Sequence, residues 1–265
     1  MKVEFLGSGS AFVLADENYQ SNILLSKEVD GETKTFLFDA GTTIAESLNA
    51  KGYTPTDVDH IFISHLHADH AGGVEYLGFK TFFGTFPFGE KKPKLIGHKS
   101  ILESGWDNTW KGGMKSIEGQ MTTLETFFNT EYLEDNDAYN FHGTIIEIVQ
   151  SVHIVDDRKI VPSYGIMFQD EDFGKVFITG DSQFAPHSMN SYYEKSDVIF
   201  QDCEIAEYPN SVHAQYHQLK ELPSEIKAKM WLYHYTTNGG ASTLPDAVAD
   251  GFRGFVKRGE VFFDE

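Results

Sequence analysis

The stretch Ile61-Phe62-Ile63-Ser64-His65-Leu66-His67-Ala68-Asp69-His70-Ala71-Gly72-Gly73 carries the densest metal-binding chemistry of this chain. Val58 and the apolar run from Ile61 to Ile63 predict a buried strand, and the residues from Ala71 onwards predict the first turn of a helix. Three histidines and one aspartate therefore lie on a strand-to-helix turn, where side chains project from the carboxyl end of a sheet.

The spacing of these polar residues favours metal binding. In an extended segment residues i and i+2 point the same way, so His65 and His67 can share one cation. Asp69 and His70 lie further round the turn and can face a neighbouring site. Imidazole and carboxylate together suit zinc, with manganese or iron as alternatives. The other interpretation is a polar loop that happens to be rich in histidine, which is hard to reconcile with only 11 histidines among 265 residues.

The pattern His-x-His-x-Asp-His after a strand resembles the hallmark of the metallo-β-lactamase superfamily. Two earlier segments also resemble that family, Phe5-Leu6-Gly7-Ser8-Gly9-Ser10 at its first-strand turn and Phe38-Asp39-Ala40-Gly41 at its Asp-x-Gly segment. The resemblance implies an α/β fold, a four-layer αββα sandwich with a dinuclear metal site at one edge of the two sheets. We expect a single domain over residues 1–265, because no linker or repeat marks a boundary.

Further metal ligands are expected downstream, where polar residues end strand-like runs. Three residues have this context: His153, Asp181 and His234. Their order matches the third histidine, bridging aspartate and last histidine of the family. The resemblance implies one metal on His65, His67 and His153, a second on Asp69, His70 and His234, and Asp181 as the bridge. Two such cations, Zn²⁺ or alternatively Mn²⁺, would activate water and stabilise the attacking and leaving oxygens.

Two positions separate the branches of the family. True β-lactamases usually carry cysteine at the bridging position, where this chain has Asp181. Diiron oxidoreductases typically have glutamate at the position of His67. The resemblance therefore leaves the hydrolases, namely phosphodiesterases, thioesterases and lactonases.

A general acid is needed if the bond cleaved is a phosphodiester with an alkoxide leaving group, and histidine suits that role. The ribonuclease Z branch has an added histidine between its bridging aspartate and last histidine, an interval that here contains His213 and His217. Separation from Asp181 favours His217, but its neighbours depart from that branch's Gly-His-Ser-Thr-like context, so both stay candidates. The alternative is a solvent-facing helix carrying both. The expected catalytic residues are Asp69, which would orient the water, and His217 or His213.

Charge separates the functions known in the ribonuclease Z branch. The formal net charge of −19 opposes a polyanionic substrate, and the only dense basic cluster, Lys91, Lys92 and Lys94, is interrupted by proline. We find no basic arm of the kind that transfer-RNA 3′-processing enzymes use to clamp RNA. The pattern resembles instead the anti-Pycsar proteins, phage-type enzymes that hydrolyse cyclic nucleotide signals of bacterial immunity. This resemblance implies a homodimer that converts 3′,5′-cyclic nucleotides to linear nucleoside monophosphates; the alternative is ribonuclease Z-like processing of transfer-RNA 3′ ends.

Cysteine usage bears on the compartment. The single cysteine, Cys203, allows no intramolecular disulfide, which fits a reducing environment. No signal peptide and no membrane-crossing apolar run is found in the sequence. We therefore expect a cytoplasmic protein, in a bacterium or a phage-infected host, that binds a small cyclic nucleotide and neither a membrane nor a nucleic acid.

The remaining predictions concern local structure. The helix after the histidine motif is predicted to run only from about Gly73 to Leu77 or Gly78, and a further helix is predicted around Leu244 to Gly251. An aromatic residue between positions 82 and 110, or Tyr164, is expected to stack on the base of the nucleotide.

Overall fold

A computed structural model of the chain describes residues 1–206, 212–237 and 243–263. The chain forms two compact units, the first from Met1–Gly7, Tyr19–Glu134 and Gly259–Glu265, the second from Ser8–Asn18 and Asp135–Arg258. Each unit contains one seven-stranded sheet. That residues 1–265 form a single domain stays a prediction.

The sheet of the first unit places the histidine motif at the end of a parallel strand. Its strands are β1 (Lys2–Phe5), β2 (Ile23–Val29), β3 (Glu32–Phe38), β4 (His60–Ile63), β5 (Lys94–His98), β6 (Asn129–Leu133) and β16 (Val261–Phe262). Their order is β16-β1-β2-β3-β4-β5-β6. The pairs β1–β2 and β2–β3 are antiparallel, whereas β3, β4, β5 and β6 run parallel. The segments that follow β3 and β4 therefore lie side by side at one edge.

The helices of the first unit connect these parallel strands. They are α1 (Ile44–Ala50), α2 (Ala68–Ala71), α3 (Val74–Gly84), α4 (Lys99–Gly105), α5 (Lys111–Met114) and α6 (Leu124–Phe127), with a 3-10 turn at Pro55–Asp57 and a π-helical segment at Trp106–Trp110. Helix α3 continues to Gly84, beyond the predicted end near Leu77. The reason is that Val74, Leu77, Thr81 and Phe82 recur at helical spacing and are buried.

The sheet of the second unit brings four strand ends to one edge. Its strands are β7 (Ala138–Phe141), β8 (Thr144–Gln150), β11 (Tyr164–Asp170), β12 (Gly174–Ile178), β13 (Val198–Asp202), β14 (Met230–Tyr233) and β15 (Gly254–Phe255), while β9 (Ile154–Asp156) and β10 (Lys159–Val161) form a separate pair. The order is β15-β14-β13-β12-β11-β8-β7. Strands β12, β13 and β14 are parallel, and β8 shares their direction because both β8 and β12 are antiparallel to β11.

Helices α7 (Pro186–Lys195), α8 (Tyr216–Leu219) and α9 (Ser224–Lys227) belong to the second unit. A buried apolar cluster, which includes Phe177, Ile199, Leu219 and Leu232, forms its core. The helix predicted around Leu244 to Gly251 is wrong, because residues 243–246 have no regular secondary structure and residues 247–251 form a turn. Pro245 near the start and Gly251 with φ of 94° at the end leave too few residues for a stable helix. Among the described residues, no helix is both long and apolar enough to cross a bilayer.

Candidate metal centre and active site

The carboxylate of Asp39 organises the histidine motif of the first unit. Its Oδ1 accepts the N–H of Ser64 at 2.8 Å, and its Oδ2 accepts the Ser64 hydroxyl at 2.7 Å and Nδ1 of His70 at 2.7 Å. Asp39 follows β3 in a left-handed conformation with φ of 66°, which is uncommon for a residue other than glycine and persists where surrounding bonds hold it. Burial raises the pKa of Asp39, although the hydrogen bonds from His70 and Ser64 oppose that rise.

These bonds determine which ring nitrogen each histidine presents. Because the Ser64 hydroxyl gives its only hydrogen to Asp39, it accepts a hydrogen bond from Nδ1 of His65, 3.0 Å away. His70 likewise uses Nδ1 for Asp39, and its Nε2 lies 3.2 Å from Oδ2 of Asp69. Both rings thus present Nε2 as the ligand atom. The exposed ring of His67 lies 4.6 Å from that of His65, so the predicted ligands of this unit do come together.

Gly41 explains the glycine of the Asp-x-Gly segment. Its N–H donates to Oδ1 of Asn22 at 2.7 Å, and a Cβ at this position would overlap the carbonyl oxygen of Asp69. Only glycine lets the loop after β3 approach the turn that carries Asp69 so closely.

In the second unit, the parallel strand ends bring together His153, Asp181 and His234, three of the residues proposed from the sequence as ligands. His153 follows β8, Asp181 follows β12 and His234 directly follows β14. Nε2 of His153 lies 3.6 Å from Oδ2 of Asp181, and Nε2 of His234 lies 3.4 Å from Oδ1 of the same carboxylate. All three side chains are buried, so this is an enclosed arrangement of metal-type donors.

The Nδ1 atoms of both histidines face oxygen acceptors. Nδ1 of His153 donates to the carbonyl oxygen of Val212 at 2.7 Å, and Nδ1 of His234 lies 3.2 Å from Oδ1 of Asp202. A carbonyl oxygen only accepts, so His153 carries its hydrogen on Nδ1 and directs Nε2 at Asp181. Burial lowers the pKa of His153 even though the Asp181 charge opposes the change, which favours the neutral ring that a metal requires.

Asp202 was not predicted from the sequence, although it lies at the centre of this cluster. Its Oδ2 is 2.8 Å from Nδ1 of His213. Burial acts to raise the pKa of Asp202, but the attraction and hydrogen bond of His213, together with the attraction of His234, outweigh it and lower that pKa. Burial acts to lower the pKa of His213, and the Asp202 carboxylate reverses the effect and raises it. The sequence did contain a signal for Asp202, namely its place at the end of the apolar strand β13, much as Asp181 follows β12.

The two candidate acids lie in different environments. His213 has 15% of its side chain exposed, is held by Asp202, and lies 3.8 Å from Oδ2 of Asp181. His217 is exposed on α8. It is not part of the groups of histidine and acidic side chains that lie close enough to share a metal in the described parts of the chain. The spacing along the chain from Asp181 favoured His217, but the structure does not place His217 with the other site residues. Burial and contacts favour His213.

The donor sets fit divalent metal ions. In the second unit, ligand atoms of Asp181, Asp202, His213 and His234 lie within 4.8 Å of one another. The first unit supplies His65, His67, Asp69 and His70 from one turn, with Asp69 and His70 buried. Imidazole nitrogens and carboxylate oxygens held at their far side by other groups are what zinc-type ions require.

The aromatic residues suggested for base stacking differ in exposure. Tyr164 is buried and its hydroxyl donates to Oδ1 of Asp135 at 2.9 Å, so its ring face is not available to a nucleotide. Phe83, Phe86 and Phe88 are exposed, and the ring of Phe88 contacts both of the others, with its centroid 5.5 Å from that of Phe83 and 5.9 Å from that of Phe86.

Comparison with known proteins supports the same interpretation of the fold and of the enzyme class. The family model described as Anti-Pycsar protein Apyc1 matches residues 1–262. A protein of that name from Paenibacillus harenae is 31% identical over 237 residues, covering 89% of this chain and 90% of the relative. One from Bacillus phage 010DV004 is 28% identical over 243 residues, covering 90% of each.

A solved structure shows the fold. The metallo-β-lactamase fold protein YhfI from Bacillus subtilis superposes with a TM-score of 0.74 at 18% identity, covering 98% of both chains. The predicted α/β metallo-β-lactamase fold is thereby confirmed, and so is the prediction of a metal-dependent hydrolase. With a match over nearly its whole length and a relative above 30% identity, this chain belongs to the anti-Pycsar Apyc1 family.

Proposed function

We propose that this chain is a dinuclear-metal phosphodiesterase that hydrolyses 3′,5′-cyclic nucleotides to linear nucleoside monophosphates and so removes an immune signal. The observation that carries the proposal is the Asp202–His213 pair, 2.8 Å apart and beside the buried carboxylate of Asp181. Opening a cyclic phosphodiester releases a ribose alkoxide, which needs a proton, and a histidine fixed by a carboxylate can supply it.

Seven side chains form the proposed ligand set. His65, His67 and His153 would hold one ion, Asp69, His70 and His234 would hold the other, and Asp181 would contribute its carboxylate to both. When bound, these ions, which we propose to be Zn²⁺ with Mn²⁺ as the alternative, activate water and neutralise charge on the phosphate. The support from the structure is that His65, His70, His153 and His234 each have Nδ1 facing an oxygen acceptor, which orients Nε2 as the ligand atom.

The remaining steps are proton transfers and orientation by the chain itself. Asp69 accepts a hydrogen bond from the attacking water and aligns it with phosphorus. Asp202 keeps the hydrogen on Nδ1 of His213, so this ring exchanges its second proton only at Nε2. His213 donates that proton to the departing 3′-oxygen of the ribose, and the Asp202 carboxylate stabilises the imidazolium form before the transfer.

A small substrate is favoured over transfer RNA because the basic cluster of the first unit is already engaged. Nζ of Lys91 donates to the Thr56 carbonyl at 2.6 Å, and Nζ of Lys92 donates to the Glu125 carbonyl at 2.7 Å. Nζ of Lys94 lies 3.4 Å from Oε2 of Glu131. These three amines already have oxygen partners, and the chain charge of −19 repels an RNA backbone. A cyclic mononucleotide carries a single phosphate charge, which the bound ions neutralise locally.

We further propose that the chain acts as a homodimer in the cytoplasm. The exposed cluster of Phe83, Phe86 and Phe88 supports self-association, since exposed aromatic patches on soluble proteins commonly mark interfaces. The single buried cysteine, Cys203, is compatible with a reducing compartment. Light scattering coupled to gel filtration measures the oligomeric state, and a monomer at micromolar concentration would contradict the dimer.

One panel tests the activity. Purified protein is incubated with cyclic cytidine, uridine, adenosine and guanosine monophosphates and with a precursor transfer RNA, each with and without a chelator. We expect linear monophosphate from at least one cyclic nucleotide, loss of turnover with chelator and its return on adding Zn²⁺ or Mn²⁺. Cleavage of the precursor RNA with no cyclic nucleotide turnover would overturn the proposal in favour of transfer-RNA processing.

A further inference from the structure

Behind the catalytic cluster of the second unit lies a buried glutamine whose polar atoms are all engaged. Nε2 of Gln201 donates to the Ser182 hydroxyl at 3.2 Å and to the carbonyl oxygen of Asp202 at 2.9 Å. Its Oε1 accepts the hydroxyl of Tyr193 at 2.6 Å. The amide orientation follows from chemistry, because the Asp202 carbonyl can only accept and so must face the –NH₂ group.

Ser182 connects this glutamine to three residues of the proposed active site. It directly follows Asp181 in the chain, and its own N–H donates to Oδ2 of Asp202 at 2.9 Å. Its carbonyl oxygen accepts the N–H of Ala214, the residue after His213, at 2.8 Å. Its hydroxyl is the atom that Gln201 holds. Ser182 therefore touches the segments carrying the bridging carboxylate, the orienting carboxylate and the general acid.

The burial of these groups argues that they do more than fill space. Gln201 is 0% exposed, Ser182 is 1% exposed and Tyr193 is 3% exposed. Tyr193 lies on α7 and belongs to the apolar core of the second unit, where a phenylalanine would pack equally well. Burying an amide and a hydroxyl gains little net stability over an apolar pair, whereas each bond made fixes a direction.

We propose that Tyr193, Gln201 and Ser182 form a positioning clamp that sets the placement of Asp181, Asp202 and His213 for catalysis. The clamp acts through the hydrogen-bonded chain from the Tyr193 hydroxyl to the Gln201 amide and on to Ser182, and none of its members contacts the substrate. Tyr193 anchors the chain in helix α7, so a rigid element of the fold determines where the active-site carboxylates point. This assignment rests on the hydrolysis proposed above.

The test separates positioning from stability with matched variants. Gln201→Met keeps the side-chain volume and removes every polar contact, whereas Gln201→Met combined with Tyr193→Phe removes both buried partners together. Replacing both partners by apolar groups is expected to restore much of the thermal stability that the single variant loses. We expect kcat to fall about 10–100-fold in both variants while KM stays within about twofold. Tyr192→Phe, one residue away on α7, serves as the control with unchanged kcat.

Two readouts besides turnover accompany the kinetics. Metal content by mass spectrometry is expected to remain that of the wild type, and the visible absorption spectrum of the Co²⁺-substituted protein is expected to change in both Gln201 variants, because Asp181 shifts. If kcat recovers together with the melting temperature in the double variant, the network is only structural and the proposal is overturned. Wild-type kcat and an unchanged cobalt spectrum in folded Gln201→Met would overturn it as well.

The experiment also distinguishes this inference from the proposed function. All variants are assayed on a cyclic nucleotide and on bis(4-nitrophenyl) phosphate, a generic phosphodiester. If the wild-type protein turned over the generic phosphodiester but no cyclic nucleotide, the cyclic nucleotide would be refuted as substrate. The kcat loss of the variants on the generic phosphodiester, together with the cobalt spectrum, would still test the clamp. If Gln201→Met does not fold, Ser182→Ala takes its place in the test, because it removes only the hydroxyl at the far end of the hydrogen-bonded chain. Its kcat is expected to fall by about tenfold, and an unchanged kcat there would overturn the clamp.

Discussion

Replacing His213 with alanine is expected to remove most of the turnover of a cyclic nucleotide, whereas the same change at His217 is not. The two histidines are four positions apart and differ in every relevant respect. His213 is held 2.8 Å from the Asp202 carboxylate and lies 3.8 Å from Asp181. His217 is exposed on a short helix. The pair therefore forms an internally matched comparison of one residue type in two environments.

The size of the effect follows from the step that His213 performs. General acid catalysis typically contributes about 10²–10⁴-fold, and water can partly replace the missing ring, so kcat for His213→Ala is expected to fall about 10²–10³-fold. His217 makes no contact with the cluster in the described part of the chain, so kcat for His217→Ala is expected to stay within about threefold of the wild-type value. The loss at His213 is expected to shrink to about tenfold on bis(4-nitrophenyl) phosphate, whose leaving group departs as a stable anion and needs no proton.

Steady-state kinetics on both substrates, with metal content measured for each variant, provide the assay. A large loss for His217→Ala with His213→Ala near wild type would refute the assignment. An equal loss for His213→Ala on both substrates, with metal retained, would show that the ring acts on something other than the leaving group. Loss of metal in His213→Ala would instead make this histidine a ligand.

Three further changes test the groups that hold the cluster. Asp202→Asn, assayed with excess metal so that its site stays filled, is expected to lower kcat about 10–100-fold in steady-state kinetics, and a near wild-type kcat would contradict the role of the carboxylate. Asp39→Ala leaves three buried donors without their acceptor and is expected to lower the free energy of unfolding of the metal-free protein by about 2–4 kcal/mol in urea denaturation; a change below about 0.5 kcal/mol would contradict this. Asp181→Ala is expected to bind no more than about one metal ion per chain, and retention of two would exclude a bridging role.

The placement of the metal-type residues on one turn and at strand ends could be predicted from the sequence because their signal is local. His65, His67, Asp69 and His70 are neighbours on one turn, and His153, Asp181 and His234 each end a run that is apolar enough to predict a strand. At each of these positions the sequence alone indicates both the secondary structure and the chemistry. The joint ligand set stays a proposal, since it depends on how separate parts of the chain assemble.

The supporting residues could not be predicted in this way, because their roles depend on pairing between strands. Asp202 faces His213 and His234 only because β13 lies parallel between β12 and β14. Ser64 accepts from His65 only because its hydrogen is given to Asp39, which lies 25 residues earlier in the chain. The sequence spacing favoured His217 over His213, and the contacts do not support that preference for the same reason. Separation along the chain does not show which histidine faces a carboxylate.

The acceptors behind the four buried histidines differ in charge, which has a consequence for metal affinity. His70 and His234 face the carboxylates of Asp39 and Asp202, whereas the Nδ1 atoms of His65 and His153 face the Ser64 hydroxyl and a main-chain carbonyl. A carboxylate behind the ring makes imidazole the stronger metal ligand.

In the proposed ligand set, His70 and His234 bind one ion and His65 and His153 bind the other. The first of these ions also has the Asp69 carboxylate, so it is expected to be the more tightly held. When metal is removed stepwise by a chelator and the occupancy of each site is measured by crystallography, the site of His65, His67 and His153 is expected to empty first. Release in the opposite order, or of both ions together, would mean that the charge behind the rings does not set their affinity.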